Sequence, residues 1–279
     1  MQYGRHTVTA TAGTLRLLDF LPDHIPGAVA LSQAAGWPHR AEDWALTLSQ
    51  SSGVVAVEGE KLVGTALVSD FGPVATLSMI IVDAPLRGRG LGRKLMDAIL
   101  ARAGDSELRL IATSDGLPLY EKLGFVRTGD VIQCQGLAQP VAATPAQGAD
   151  ADFPVDMAGM DTAASGMSRA DLLARVAGSG RVFGSSDGFA LLRDFGRGRV
   201  LGPIVANSLD GAKSLLAQAA SAQAGQFLRI DTPSAELADY AQTLGLDRVG
   251  GGVCMRRQHK PTAPSGTYRT YGLVSQALG

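Results

Sequence analysis

The run Ile81-Val82-Asp83-Ala84-Pro85-Leu86-Arg87-Gly88-Arg89-Gly90-Leu91-Gly92-Arg93-Lys94 constrains this chain more than any other. An apolar β-branched stretch passes there through alternating glycines into a segment with Leu91, Leu95 and Ile99 at helical spacing. A strand, a glycine-rich turn and a helix make a junction suited to anions. Glycines admit backbone conformations closed to other residues, so successive N–H groups can converge on phosphate oxygens, and the helix N-terminus adds partial positive charge. Arg87, Arg89, Arg93 and Lys94 add full charges that favour a diphosphate. One GxG pair alone would read as a plain turn with solvated arginines; Gly88, Gly90 and Gly92 among these cations weigh against that. A Walker loop is excluded, because no glycine here is followed by Lys and then Ser or Thr. The dinucleotide fingerprint GxGxxG is excluded too, because Arg93 and Leu95 stand where its third glycine belongs.

Around this junction the sequence reads as mixed α and β. A strand near Thr14 to Phe20 precedes a helix over Ile25 to Ala35, a Gly36-Trp37-Pro38 break and a second helix over Ala41 to Ser51. Val54 to Val57 and Leu62 to Ser69 flank a tight Glu58-Gly59-Glu60-Lys61 turn, and Phe71-Gly72-Pro73 leads into Ala75 to Val82, which together make an antiparallel meander. After the glycine helix come a strand at Leu108 to Ala112, a helix around Leu117 to Leu123 and a last strand near Val126 to Cys134. Residues 136–154, rich in Ala, Pro, Gly and Gln, have no sustained periodicity and read as a linker.

A chain of 279 residues suits two domains better than one. Beyond the linker the order of elements repeats: a helix at Ser168 to Ala177, strands at Gly188 to Asp194 and Arg199 to Val205, a helix at Leu209 to Ala222, a strand at Phe227 to Asp231, a helix at Ala235 to Leu244 and a strand through Val253 to Arg256. Val82 aligns with Val205, and Leu123-Gly124-Phe125 with Leu244-Gly245-Leu246, which suggests a diverged internal duplication. Hydrophobic residues at 46% and charged ones at 18% supply enough apolar material for real cores. A net charge of −1 provides no field to draw nucleic acid or an anionic membrane. Cys134 and Cys254 lie far apart with no zinc-like spacing, so neither a disulfide framework nor a metal site is expected, and a reducing cytoplasm fits. The N-terminal segment has no long apolar stretch and no 18-residue apolar run follows, so the expected protein is soluble and unexported.

The glycine run resembles the Arg/Gln-x-x-Gly-x-Gly/Ala signature of the GNAT N-acyltransferases, here Arg87-Gly88-Arg89-Gly90-Leu91-Gly92, entered through Val82-Asp83-Ala84-Pro85-Leu86-Arg87-Gly88. A second hallmark of that family, Leu-Tyr-x-x-x-Gly-Phe, stands downstream as Leu119-Tyr120-Glu121-Lys122-Leu123-Gly124-Phe125. The resemblance implies a fold of two tandem GNAT-like domains of the α/β (α+β) class. Each would be a mixed, mostly antiparallel twisted sheet flanked by helices: residues 1–137 binding acetyl-coenzyme A, 138–154 a linker, and 155–279 a degenerate C-terminal domain. It also implies that the strand ending at Val82 splays from the strand at Leu108 to Ala112. Pantetheine would enter that gap beside the main chain of Ile81 and Val82, and the pyrophosphate would lie on the amides of Gly88, Arg89, Gly90, Leu91, Gly92 and Arg93 near Arg87. Tyr120 would donate a proton to the departing thiolate, although a tyrosine there can also simply pack on the sheet. Many relatives carry Asn six residues before this tyrosine; Ser114 replaces it here, with a shorter reach toward the pantetheine arm.

Direct transfer would have a small-molecule primary amine attack acetyl-coenzyme A, the co-substrate, in a ternary complex. The base is not encoded by a motif. His24, His39, Glu42, Asp43 and Asp70 are the titratable residues in segments expected to border the acceptor cleft, with Trp37 as a rim residue or a core plug. In the second half, Val205-Ala206-Asn207-Ser208-Leu209-Asp210-Gly211-Ala212-Lys213 replaces the glycine loop and lacks its arginines, so that half shapes a pocket or an interface rather than holding a second coenzyme. Its C-terminal stretch, through Leu228-Arg229-Ile230-Asp231 to Gly279, is similar to the second domain of a bacterial group of two-domain GNAT proteins. Arg229 and Asp231 are pocket residues or the charged end of a strand, and the run from Met255 to Lys260 reads as a solvated basic loop. A non-catalytic acyl-coenzyme A sensor whose second domain contacts a partner protein is the alternative. A homodimer is compatible with the sequence.

Overall fold

The computed structural model describes residues 14–141, 156–259 and 266–279. The segment 142–154 of the expected linker, the chain before residue 14 and Lys260 of the basic run lie outside the described residues.

β1 (Leu15–Asp19), β2 (Ser52–Glu58), β3 (Lys61–Phe71) and β4 (Val74–Val82) form the expected antiparallel meander. Its side chains alternate between two cores, as a pleated strand requires. Val54 and Ala56 face α3 (Leu91–Ala103) and α4 (Leu117–Lys122), whereas Val55 and Val57 face α1 (Ile25–Ala34) and α2 (Ala41–Leu48). In β4 the alternation breaks: Ala75 and Leu77 lie in the first core, but Met79 and Ile81 lie in the second. The register slips between Thr65 and Leu67 of β3, and Met79 takes φ +52°, the signature of a bulge. Thr65 Oγ1 donates to Met79 O at 2.6 Å and pins the kink.

The second half repeats this plan with β8 (Gly188–Phe195), β9 (Gly198–Ala206) and β10 (Phe227–Thr232) between α7 (Leu209–Ala222) and α8 (Ala235–Thr243) on one face and α5 (Met157–Ser165) and α6 (Ala170–Ser179) on the other. β7 (Arg181–Ser185) closes the far edge. Backbone conformations echo the duplication: Gly124 and Gly245, which align in sequence, have φ +83° and +81°, and Gly129 and Gly251 have +155° and +153°. α5, β7 and a short terminal strand, β12 (Arg269–Gly272), were not foreseen from the sequence.

The halves do not keep their last strands. β5 (Glu107–Ala112) pairs with β11 (Asp247–Arg257) of the second half, and β6 (Val126–Leu137) of the first pairs with β10. β6 and β11 then pair antiparallel with each other at the centre, giving one sheet in the order β1-β2-β3-β4-β5-β11-β6-β10-β9-β8-β7, with β12 on β9. The exchange reaches into the cores: Met255 is buried against α3 and α4, and Cys134 against α7 and α8. The boundary in sequence is therefore not a boundary in the sheet. Among the described residues, no helix is long and apolar enough to cross a membrane.

Candidate active site

β4 and β5 run parallel and pair only at Val74↔Glu107, Ala75↔Leu108 and Thr76↔Arg109. Beyond Thr76 the bulge turns β4 away, so the expected splay exists and the β5-facing edge from Leu77 to Val82 has no partner strand. That edge leads into a 3-10 turn at Ala84–Leu86 and then to Gly88 and Gly90, with φ +75° and +83°. Open space surrounds the Cβ positions of both glycines, so the backbone conformation, not crowding, demands glycine there. Gly90 caps α3 without any side-chain bond, and the helix makes its first hydrogen bond from Lys94 N to Gly90 O at 3.1 Å. The amides of Leu91, Gly92 and Arg93 therefore have no partner within the helix and make, with the turn from Gly88 to Gly90, a donor surface in which Gly88, Arg89, Gly90 and Arg93 are exposed, Gly92 is half-buried and Leu91 is buried. Arg87 bridges the mouth of the splay, its Nη1 3.2 Å from Asp115 and its Nε donating to Val82 O at 3.3 Å. Arg89 and Arg93 are exposed, and Arg93 pairs with Asp97 at 2.8 Å. This donor surface and its cations fit a pyrophosphate.

The corresponding features of the second half are closed. Ser208 Oγ accepts from Gly211 N at 3.1 Å and caps α7 internally. β9 and β10 also pair only briefly, at Leu228↔Arg199 and Arg229↔Val200, and then part. β12 fills their gap: Arg269 and Thr270 pair with Ala206 and Val205 of β9, and Tyr271 O accepts from Thr232 Oγ1 of β10 at 2.6 Å. The second splay thus contains the chain's own last strand.

From β12 the tail runs to the first splay, where a cavity of about 290 Å³ opens. Leu77, Ser78, Met79 and Ile80 line it from β4, and Ile111 and Thr113 from the opposite side of the splay. Trp37, Pro38 and His39 contribute from the loop before α2, and Ser275, Gln276 and Ala277 from the tail. Gln133 and Gln135 of the exchanged β6, with Phe195, Arg197, Phe227 and Arg229 of the second half, complete it. The two halves therefore build one cavity. Asp43 ties them at its edge, accepting from Arg40 N at 2.9 Å and from Gly196 N, on the β8–β9 turn, at 3.0 Å.

Tyr120 lines this cavity and is 6% exposed. Burial pushes its phenol up to about 12, so it remains a proton donor throughout the neutral range. Its ring meets Phe125 edge-on at 6.2 Å. His39 also lines the cavity, packed against Trp37, Trp44 and Phe195 at 5.7, 6.2 and 5.6 Å between ring centres. Burial, reinforced by Arg229 and Arg193 against the opposing pull of Asp43, lowers it to about 4, which keeps the imidazole neutral. Its Nδ1 is buried without a partner among the described residues.

Of the other expected site residues, Ile81 is buried in the core under α1 and α2, Val82 is half-buried at the end of β4, and Ser114 is exposed in the turn before α4, outside the cavity lining. His24 caps Leu21 N at 3.0 Å, Asp70 holds the Gly72 turn at 2.9 Å, and Glu42 is exposed; none of the three lines the cavity. Trp37 combines both expected roles, lining the cavity while packing on the core. Arg229 is a pocket residue, and Asp231, fully buried, stands behind it in a bidentate pair at 2.9 Å. Sequence reasoning missed Gln133, Gln135, Phe195 and the tail, because the strand exchange and β12 bring them there.

Two family models, each described as an acetyltransferase (GNAT) domain, match residues 31–139 and 157–272. The chain is 30% identical over 281 residues to YitH of Bacillus subtilis (strain 168), named an uncharacterized N-acetyltransferase, spanning 94% of this chain and 98% of that protein. The chain belongs to the GNAT acetyltransferase family. Among solved structures, a putative acetyltransferase from Pyrococcus horikoshii superposes with TM-score 0.78 at 21% identity, covering 99% of this chain and 100% of that one. A GCN5-related N-acetyltransferase from Sphaerobacter thermophilus does so with 0.59 at 16% identity, over 87% and 95% of the two chains. At those identities the likeness speaks for the fold. The chain is thus an acyltransferase of two GNAT domains in tandem, and acetyl transfer is the general activity of its family.

Proposed function

We propose that this GNAT protein is an N-acetyltransferase that moves the acetyl group of acetyl-coenzyme A onto a primary amine of a small molecule within a ternary complex. The observation that carries this reading is the continuity of three features: the open donor surface at Gly88 to Arg93, the splay of β4 from β5, and the cavity that Tyr120 lines. The donor surface would hold the pyrophosphate, and the unpaired edge of β4 would pair with the pantetheine amides as an added strand does. The neutral amine nitrogen bonds to the thioester carbon, the C–S bond breaks, the thiolate takes the Tyr120 proton, and the proton shed by the nitrogen as the amide forms restores the phenol, so that the products are the N-acetyl amide and the free thiol. The amine must arrive neutral; His39 and Ser78 both line the cavity, and the imidazole is itself neutral.

A protein that only sensed the coenzyme would have no use for a buried proton donor on the cavity wall, which weighs against the sensor alternative. Calorimetric titration of acetyl-coenzyme A into the wild type and into Gly90→Glu tests the reading. The Gly90 Cβ position is open, so a glutamate there meets no clash and places a carboxylate on the anion surface; because φ +83° strains any side chain at this position, circular dichroism of the variant accompanies the titration to show that it is folded. Binding in the wild type that is lost in the variant, together with thiol release on adding an amine, is the expected result. A folded wild type that binds no acyl-coenzyme A would overturn it.

A further inference from the structure

Among the described residues, Arg197 and Arg229 are the formally charged ones on the cavity wall, and no Asp or Glu lines it. An acceptor presenting nothing but ammonium groups would meet two guanidiniums at the wall, the nearby carboxylates of Asp231 and Asp43 being spent on the back of Arg229 and on Arg40 and Gly196, whereas a negative group on the acceptor would be matched. Arg229 is moreover built as a fixed receptor. It is 9% exposed, its Nε and Nη2 are spent on Asp231 at 2.9 Å each, and its guanidinium lies 5.1 Å from the Phe195 ring centre. Asp231 is in turn held by Gln276 Nε2 at 2.8 Å. These contacts leave Nη1 with no hydrogen bond among the described residues, on a side chain that faces the cavity. Arg197, on the β8–β9 turn, is exposed and has no carboxylate partner among the described residues. One arginine is thus oriented from behind, and the other can close over a ligand.

We propose that the cavity recognises its acceptor by a carboxylate, so that the substrates are amino acids or other small amino-carboxylates, with Arg229 as the fixed anchor and Arg197 as the outer one. The planar guanidinium fork matches carboxylate geometry. Gln133, Gln135 and Gln276 supply neutral donors and acceptors for the remainder of the molecule. This inference rests on the acetyltransferase reading for its choice of amine, but its binding half can be measured separately.

The protein is saturated with coenzyme A and titrated calorimetrically with N-acetylglycine, N-acetyl-leucine, N-acetylphenylalanine and N-acetylglutamate, each against its carboxamide. At least one acid is expected to bind ten or more times tighter than its amide. Arg229→Gln and Arg197→Gln should each erase most of that preference, and Arg229→Lys should restore part of it; Arg197 is exposed, so its variant does not threaten the fold. Parallel assays follow thiol release from acetyl-coenzyme A with the free amino acids, their amides, phosphoethanolamine and spermidine. Arginine-dependent binding of the acids without release from any amine would uphold the pocket assignment and remove the acetyl-transfer reading. Release that favours amides, polyamines or the phosphorylated amine, or no acid bound more tightly than its amide, would overturn the carboxylate assignment and leave acetyl transfer standing.

Discussion

The ring of Tyr120 lies so close to Gly116 that a Cβ on Gly116 would sit 2.7 Å from Cε2 and 3.2 Å from the hydroxyl oxygen. Gly116 precedes α4 with ordinary right-handed angles, so the requirement for glycine comes from this approach and not from the backbone. Gly116→Ala should push the phenol out of position and lower kcat, with acetyl-coenzyme A affinity unchanged. Tyr120→Phe removes the proton donor itself and should cost about 100-fold or more in kcat. Steady-state rates beside calorimetric Kd values check both; a Kd that moves with kcat would place the tyrosine in binding rather than in proton transfer.

His39 should make the protein sensitive to mild acid. Its folded value of about 4 lies below the ordinary 6.5, so unfolding takes up a proton between the two. Stability is complete above the ordinary value and is lost as pH falls through this window. Between pH 7.5 and 5 the loss from this group is roughly 1 to 2 kcal/mol. Asp43 pushes in the same direction at lower pH: burial raises its carboxyl, but the bonds from Arg40 and Gly196 outweigh that and hold it below the usual carboxylate range. Urea unfolding at the two pH values should therefore show a smaller difference for His39→Gln than for the wild type, while an unchanged difference would mean the imidazole is solvated.

The geometry of the N-terminal candidate site was legible in sequence because it is local. The glycine run, the β4 edge and Tyr120 each lie within a short stretch whose residue types state their own conformation, and Gly88, Gly90 and Tyr120 stand where the motifs imply. The acceptor side was not legible for an equally physical reason. Gln133 reaches the cavity because β6 has crossed to β10, and Ser275 reaches it because β12 occupies the second splay. Pairing between strands so far apart in sequence leaves no periodicity in either strand. The charged pair Arg229 and Asp231 looked like an ordinary strand end, since nothing in a strand's own sequence tells which neighbour covers it.

Arg169 holds the tail that floors the cavity. Its Nε and Nη2 donate to Asp161 at 2.9 and 2.6 Å with both side chains fully buried, and its Nη1 donates to Leu278 O at 2.8 Å. Arg169→Met strands the Asp161 carboxylate in the interior and should destabilise the protein by about 3 to 5 kcal/mol. Replacing both, with Asp161→Leu, removes the orphaned charge and should recover much of that. Even the recovered double variant loses the clamp on Leu278, so its KM for the acceptor should rise more than its KM for acetyl-coenzyme A. Denaturant midpoints and the two KM values separate the structural contribution from the positioning one.

The exchanged strands make a prediction about folding. Cut between residues 141 and 156, each half would carry one strand that belongs to the other: residues 1–141 end in β6, whose outer partner is β10, and leave β5 without β11. The buried positions of Met255 and Cys134 would be empty in their respective cores. The missing strand takes with it Met255 in one case and Val131 and Cys134 in the other, at about 1.5 to 3 kcal/mol each, and also both of its hydrogen-bonded ladders at the centre of the sheet, which together remove a large part of the roughly 5 to 15 kcal/mol margin of a typical domain. Residues 1–141 and 156–279 produced separately should therefore be unfolded or aggregated. Produced together as two chains, they should co-purify as a stable pair that binds acetyl-coenzyme A. Circular dichroism and size-exclusion chromatography distinguish the cases, and a first half that folds alone as a monomer would show that β6 can return to β5 and that the exchange is dispensable.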